Sequence, residues 1–167
     1  KGYYHSYSID DREAILAADK AFLTVNIENG AKDETTLAES SRLAVDFLSK
    51  DEDGFVLMIE QAYIDKYSHS NDFKGMVEKM DSLAQTVDML VEWIGDRNDT
   101  AIIITADHET GGLTLPADNN LTKDEWTSWH HTAVPVPIFS YGVGAENFTG
   151  VMQNTDVFWK IYSLIKK

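Results

Sequence analysis

Apolar residues recur at steps of three and four between positions 73 and 94: Phe73, Met76, Met80, Leu83, Val87, Leu90, Val91 and Ile94. This spacing lays one apolar stripe along a long helix, which the polar run "GDRND" at 95–99 ends. The methionines on that stripe are core residues rather than a binding patch. A second helical pattern covers 35–49, where Leu37, Ser41, Ala44, Phe47 and Leu48 share an inner face. A shorter one covers 11–23, "DREAILAADKAFL", and a closing helix runs over 155–167 from a Thr155 or Asp156 cap. Three apolar runs have strand length instead: "FVLMIE" at 55–60, "TAIIITA" at 100–106 and "VPIFSYG" at 136–142. A continuous apolar run fits a strand covered on both faces. The turn "KDEDG" (50–54) precedes the first, and the polar stretch 113–130 reads as loop. Helices alternating with buried strands predict an α/β fold: a layered sheet of mostly parallel strands with helices on both faces.

Bulk properties narrow the picture. At 167 residues the chain suffices for a single α/β domain spanning 1–167 and is short for two. No run approaches the roughly 18 apolar residues of a membrane span, and no N-terminal apolar signal region shows. The chain starts at Lys1, as a mature or cut chain would. The formal charge is −14, with acidic residues scattered over the length as on a solvated surface. Such a surface argues against nucleic acid, whose phosphates need basic patches. It also repels anionic substrates unless bound cations reverse the local sign. Cysteine is absent, which excludes disulfides and thiolate zinc sites.

Ligands of open α/β sheets gather beyond the carboxyl ends of strands, and titratable residues stand there. After the first expected strand come Glu60 and then Asp65 and His69, four apart, which one helical turn would put on one face. After the second come Asp107 and His108, followed by Glu109, Gly111 and Gly112. Neighbours on a strand point to opposite faces, so Asp107 and His108 converge only if the ladder ends near Ala106. The two glycines suit that departure. Before the third come His130 and His131. Each piece alone has a bland reading as solvated surface; their joint placement does not.

Three segments in order, "MIEQAYIDKYSH", "ITADHETGGL" and "HTAVPVPIFSYGVGAENFTG", resemble the C-terminal part of the alkaline phosphatase family. The resemblance covers most of the chain from about Leu37 onward and is weaker over 1–34. It implies that Asp65, His69 and His131 are the protein ligands of one catalytic Zn2+, and that Asp107 and His108 are two ligands of a second. It implies that Glu60 binds Mg2+ and that Lys66 reaches phosphate through water. His131 is preferred over His130 because the family's ligand is directly followed by Thr or Ser, as Thr132 follows here; neighbouring side chains on an extended approach also diverge. Asp plus two His leaves a zinc one open position, as catalysis requires. Two ions about 4 Å apart can clamp both oxygens of a phosphoryl transfer.

The resemblance also implies parts with no counterpart here: a serine nucleophile opening a helix, an aspartate shared by zinc and magnesium, and a phosphate-binding arginine. Ser40 and Ser41 fall on a helix face, and Arg12, Arg42 and Arg97 have no motif context. The second zinc site is therefore partial and the magnesium site keeps a single ligand; a further ligand would have to be a residue such as Glu109 or His130. The interval 113–130, at 18 residues, is too short for the crown-like insertion of larger members. The chain is thus expected to be part of a periplasmic or extracellular phosphomonoesterase. It would be inactive alone and partnered by the N-terminal half of the enzyme, with oligomeric state open. A non-catalytic zinc-binding domain is the competing reading, and a phosphodiesterase or sulfatase of the same superfamily a third. Magnesium and second-zinc residues have no purpose in a one-metal module, which favours the phosphatase.

Overall fold

The computed structural model describes residues 2–28, 34–117 and 125–166. Its contacts divide the chain into two compact units: 1–62 with 77–90, and 63–76 with 91–167.

In the first unit, strand β1 (Tyr4–Ser6) pairs in parallel with β2 (Ala21–Leu23), in the register Tyr4 to Ala21 and Ser6 to Leu23. Between them lie a 3-10 turn (Ile9–Asp11), capped by Ser8, and helix α1 (Arg12–Ala17). The helix expected over 11–23 therefore stops at Ala17, and its last residues become strand. Helical propensity of the Ala-rich run yields there to pairing with β1, a long-range contact that local periodicity does not register. Lys50 Nζ donates to the carbonyls of Leu16 (2.8 Å) and Ala18 (3.1 Å) at the end of α1, where a cation also suits the helix dipole.

Helix α2 (Leu37–Leu48) opens with a capping box between Thr36 and Glu39. Hydrogen bonds from the Thr36 backbone and hydroxyl hold the Glu39 carboxyl below its ordinary pKa. The helix buries Leu37, Ser41, Leu43 and Val45, so burial extends to both flanks of the predicted arc, while Ala44, Phe47 and Leu48 are only half-buried. The apolar run 55–60 is not a strand. Leu57 and Ile59 are half-buried while Val56 and Met58 are 65% and 84% exposed. Among the described residues no strand pairs with it, and an extended segment needs a neighbour's backbone to become one.

Helix α4 (Phe73–Ile94) spans the residues the spacing predicts, with Asp72 as its N-cap; on its stripe Met76 and Ile94 are buried, but Met80, expected in the core, is 51% exposed, and Thr86 is buried instead. Its residues 77–90 belong to the first unit. There a carboxylate organises the packing. Glu28 accepts hydrogen bonds from the Leu37 backbone N–H (3.0 Å), Ser82 (2.7 Å), Gln61 (3.2 Å) and Lys79 (3.3 Å). Burial would raise its pKa, but the hydrogen bonds from Leu37, Ser82 and Lys79, with the Lys79 charge, outweigh it and hold the carboxyl below its ordinary value.

The second unit contains helix α3 (Tyr63–His69), strands β3 (Ala101–Ile104), β4 (Glu109–Thr110), β5 (His131–Thr132) and β6 (Phe139–Gly142), a 3-10 turn (Ala145–Phe148) and helix α5 (Asn154–Ile165). Its buried apolar residues are Met76, Ile94, Trp126 and Phe148. The expected parallel direction is corrected here: β3 pairs antiparallel with β6, and β4 antiparallel with β5. Parallel neighbours need a long crossover, usually a helix, and the described residues between β3 and β6 contain none. Helix α5 begins at Asn154, one residue before the expected span. Gln153 is its N-cap, and Asp156, expected to cap, accepts the Gln153 backbone N–H instead. Part of the polar stretch 113–130 lies outside the described residues. No helix among the described residues is long and apolar enough to cross a membrane.

Because its folded pKa is depressed, Glu28 contributes stability that is present above the unfolded carboxyl value and lost as pH falls through the folded one. Glu28→Gln should therefore lower the unfolding free energy by about 1–3 kcal/mol near neutral pH. The deficit should shrink as the solution is acidified below the carboxylate range. Urea melts of both proteins across pH check this, and a deficit independent of pH would refute it.

Candidate metal centre

Helix α3 carries Asp65 and His69 one turn apart, and their donor atoms, Oδ1 and Nε2, lie 3.4 Å from each other. The helix ends where Asn71 takes a left-handed φ of 51°, a conformation that Asn tolerates better than most residues. With its amide nitrogen toward the carbonyls of Ser68 (3.1 Å) and Ser128 (2.9 Å) and its oxygen toward Trp129 Nε1 (2.8 Å), Asn71 ties this end to the segment leading into β5. That segment delivers His131. Its Nε2 lies 3.1 Å from His69 Nε2 and 3.7 Å from Asp65 Oδ1.

These three separations define the centre. A tetrahedral zinc with ligands at about 2.0–2.1 Å has those ligands roughly 3.3–3.4 Å apart. The observed 3.1, 3.4 and 3.7 Å bracket that value. Among the described residues this is the one group of three or more His, Asp or Glu whose donor atoms all lie within 4.8 Å. Protonation agrees with ligation. His69 Nδ1 is 2.6 Å from the Trp129 carbonyl, which can only accept, so Nδ1 carries the proton and Nε2 keeps its lone pair. The donor set thus fits a zinc-type cation.

Beyond Ile104 the chain leaves the β3 ladder, and Asp107 and His108 follow, with Asp107 Oδ2 3.4 Å from His108 Nε2. The Asp107 side chain is 88% exposed. The His108 ring stacks on His131 with centroids 3.5 Å apart. Thr110 joins this pair to the first group. Its hydroxyl donates to Asp65 Oδ1 (2.5 Å) and lies 3.1 Å from His108 Nδ1. With its only proton on Asp65, the hydroxyl must accept from His108, which places the proton on Nδ1 and leaves Nε2 free.

The glycines that follow are required by space. Gly111 and Gly112 have φ of 92° and 58°. A Cβ on Gly111 would lie 2.4 Å from the Trp126 ring, and one on Gly112 would lie 2.0 Å from Thr127 Oγ1. Glu109 accepts from the Gly112 N–H (2.8 Å) and from the Thr132 hydroxyl. His130 is exposed and outside the three-residue group. Lys66 Nζ lies over the Tyr63 ring, 4.2 Å from its centroid. Glu60 is exposed and belongs to the first unit, as do Ser40 and Ser41. Arg12 and Arg42 both pair with Asp46, and Arg97 with Asp99. Sequence reasoning passed over Thr110 and the Trp129 carbonyl. Thr110 was open to discovery, since it lies two residues from a candidate ligand and can both donate and accept; a backbone carbonyl leaves no sequence signal.

A profile of the alkaline phosphatase family matches residues 16–125. The chain is 31% identical to alkaline phosphatase of Escherichia coli over 143 residues, 74% of this chain and 30% of that protein. It is 22% identical to alkaline phosphatase 3 of Bacillus subtilis over 242 residues, 97% of this chain and 52% of that protein. Among solved structures, a mutant of TAB5 alkaline phosphatase with Mg bound superposes with a TM-score of 0.81 at 25% identity, over 98% of this chain and 52% of that one. A cold-active alkaline phosphatase of a psychrophilic Shewanella gives the same TM-score at 23% identity, over 99% and 60%. The fold is alkaline-phosphatase-like, and the chain spans about a third to a half of these curated relatives.

Two substitutions probe this geometry through zinc affinity, measured by competition with a chelator. His131→Ala should abolish tight binding while His130→Ala leaves it within a few-fold; the reverse order would move the ligand by one residue. Thr110→Val keeps the volume but loses both hydrogen bonds, and should weaken zinc about 10–100-fold. Wild-type affinity in that variant would show that the Thr110 bridge is idle.

Proposed function

Since the chain belongs to the alkaline phosphatase family, we propose that it provides the metal-holding part of a phosphomonoesterase. The observation that carries this reading is the triangle of donor atoms from Asp65, His69 and His131, spaced as zinc ligands are. Asp65, His69 and His131 hold the first zinc. Asp107 and His108 give two ligands to a second, and Glu60 gives one to magnesium. When bound, these cations supply Lewis-acid charge for a phosphate monoester and its leaving group.

What the chain's own residues do follows from their contacts. The Trp129 carbonyl keeps the His69 proton on Nδ1, and Thr110 does the same for His108, so both rings present Nε2. Thr110 also orients the Asp65 carboxylate. Lys66 lies one residue beyond Asp65 on α3 and, in this reading, swings from the Tyr63 ring to reach phosphate through water. The serine nucleophile comes from the N-terminal half of the enzyme, the expected partner of this chain. The complete protein works in the periplasm or outside the cell, where phosphate esters are scavenged. A zinc-binding domain without hydrolytic role, or a phosphodiesterase or sulfatase fragment, is the outcome to be separated from it.

The test is metal content and turnover of the 167-residue chain. After dialysis it should retain close to one zinc, with a second bound weakly, since three ligands serve the first site and two the second. It should show no robust hydrolysis of p-nitrophenyl phosphate, because the covalent step needs a nucleophile from elsewhere. A chain that holds no zinc would refute the reading. Turnover that survives repurification and disappears in His131→Ala would show that the chain needs no partner.

A further inference from the structure

We infer that Glu109 is a positioning residue for the metal centre, acting through Thr132 on His131, and is not itself a ligand. The inference rests on the zinc reading of Asp65, His69 and His131. It starts from the size of the ladder that carries His131. Strands β4 and β5 share only two residue pairs, Glu109 with Thr132 and Thr110 with His131. Directly opposed residues on an antiparallel pair project from the same face, and successive residues from opposite faces. One face of this ladder therefore presents Thr110 and His131, and its contacts go to Asp65, His69 and His108. The other face presents Glu109 and Thr132, whose side chains hydrogen-bond to each other.

A ladder of two pairs is too short to fix the rotation of its strands by backbone bonding alone. Glu109 adds the missing constraint. One carboxylate oxygen accepts the Gly112 N–H at 2.8 Å, closing the turn after β4, and the other accepts the Thr132 hydroxyl across the ladder. The Gly111 N–H, bonded to the His130 carbonyl at 3.0 Å, closes the same frame from the backbone. Thr132 is thereby held on the face away from the metal group, and its neighbour His131 is turned toward it. Glu109 would have to abandon both contacts and cross the ladder to reach a metal on the Thr110 side. The third titratable residue of the run Asp107–His108–Glu109 thus serves the centre from behind.

The experiment compares Glu109→Ala, Glu109→Gln, Thr132→Val and the Glu109→Ala/Thr132→Val double variant. Zinc affinity is read by chelator competition, and the donor set by the visible bands of the Co2+-loaded chain. Glu109→Ala and Thr132→Val should each weaken zinc about 10–100-fold. The double variant should be no worse than Glu109→Ala alone, because Thr132→Val removes only the Glu109–Thr132 contact, which Glu109→Ala has already lost together with the Gly112 one. The cobalt bands should stay in place, since no ligand is lost. Glu109→Gln should lie within a few-fold of wild type. Its amide oxygen can still accept from Gly112 and its nitrogen can donate to Thr132, and it guards against misfolding of the alanine variant.

Wild-type affinity in Glu109→Ala, additive losses in the double variant, or a glutamine variant as weak as alanine would each overturn the inference while leaving the zinc reading intact. Shifted cobalt bands in Glu109→Ala would overturn it by making Glu109 a ligand. A wild-type chain that binds no zinc would remove the zinc reading and this inference together.

Discussion

Three donor atoms held 3.1 to 3.7 Å apart, two imidazole nitrogens and a carboxylate oxygen, are the constraint that the local structure serves. Lone pairs aimed at a common point repel unless a proton or cation sits among them, so the backbone must enforce the meeting. It does so from two elements of different kind. Helix α3 delivers two donors through its own period, at the cost of one turn. The third comes from far along the chain, on a strand two residues long. Features that look unrelated in sequence resolve around that need. The left-handed Asn71 ends α3 and lashes it to 128–129. The two positive-φ glycines bring the backbone that follows β4 close against the Trp126 ring and Thr127 Oγ1.

The run from Asp107 to Gly112 divides its labour by geometry. Asp107 and His108 precede the ladder and are free of its alternation, so both can turn one way, and their donor atoms lie 3.4 Å apart. Glu109 and Thr110 are on the ladder and must diverge. Thr110 faces Asp65 and His108, and Glu109 faces Thr132. A single hydroxyl thereby couples the two groups of candidate ligands. It donates to a carboxylate of the first and accepts from an imidazole of the second, so moving either disturbs the other.

This division also sets what the sequence makes legible. The i,i+4 pair on α3 and the span of α4 are local, period-bound features, and both stand where the spacing predicts, although Met80 of the α4 stripe is exposed. Strand direction is not local. Runs 100–106 and 136–142 look alike whether their strands run parallel or antiparallel, and only the path between them decides; here it returns without a crossover helix among the described residues. Segment 55–60 shows the same limit, because its composition cannot say whether a neighbour exists to pair with it. Glu109 shows it at the site. In sequence it is the third titratable residue of a candidate ligand run, and a register of two pairs is enough to put it on the other face.

Electrostatics add a demand that the side chains alone do not meet. A chain of net charge −14 must hold a phosphate dianion in the proposed role. Its arginines are committed elsewhere: Arg12 and Arg42 to Asp46, and Arg97 to Asp99. Lys66 is the cation next to the candidate ligands in sequence, and its ammonium rests over the Tyr63 ring. A contact of that kind at an exposed site is worth only about 0.5–1 kcal/mol. It therefore keeps the lysine folded back without holding it there against a doubly charged anion. Around it the donor set consists of carboxylates and imidazoles, which present lone pairs and repel phosphate until cations occupy it. In the proposed role, metal binding and substrate binding are one electrostatic event in two steps. The geometry that gathers the donors creates the negative site, and cations bound there would invert the sign.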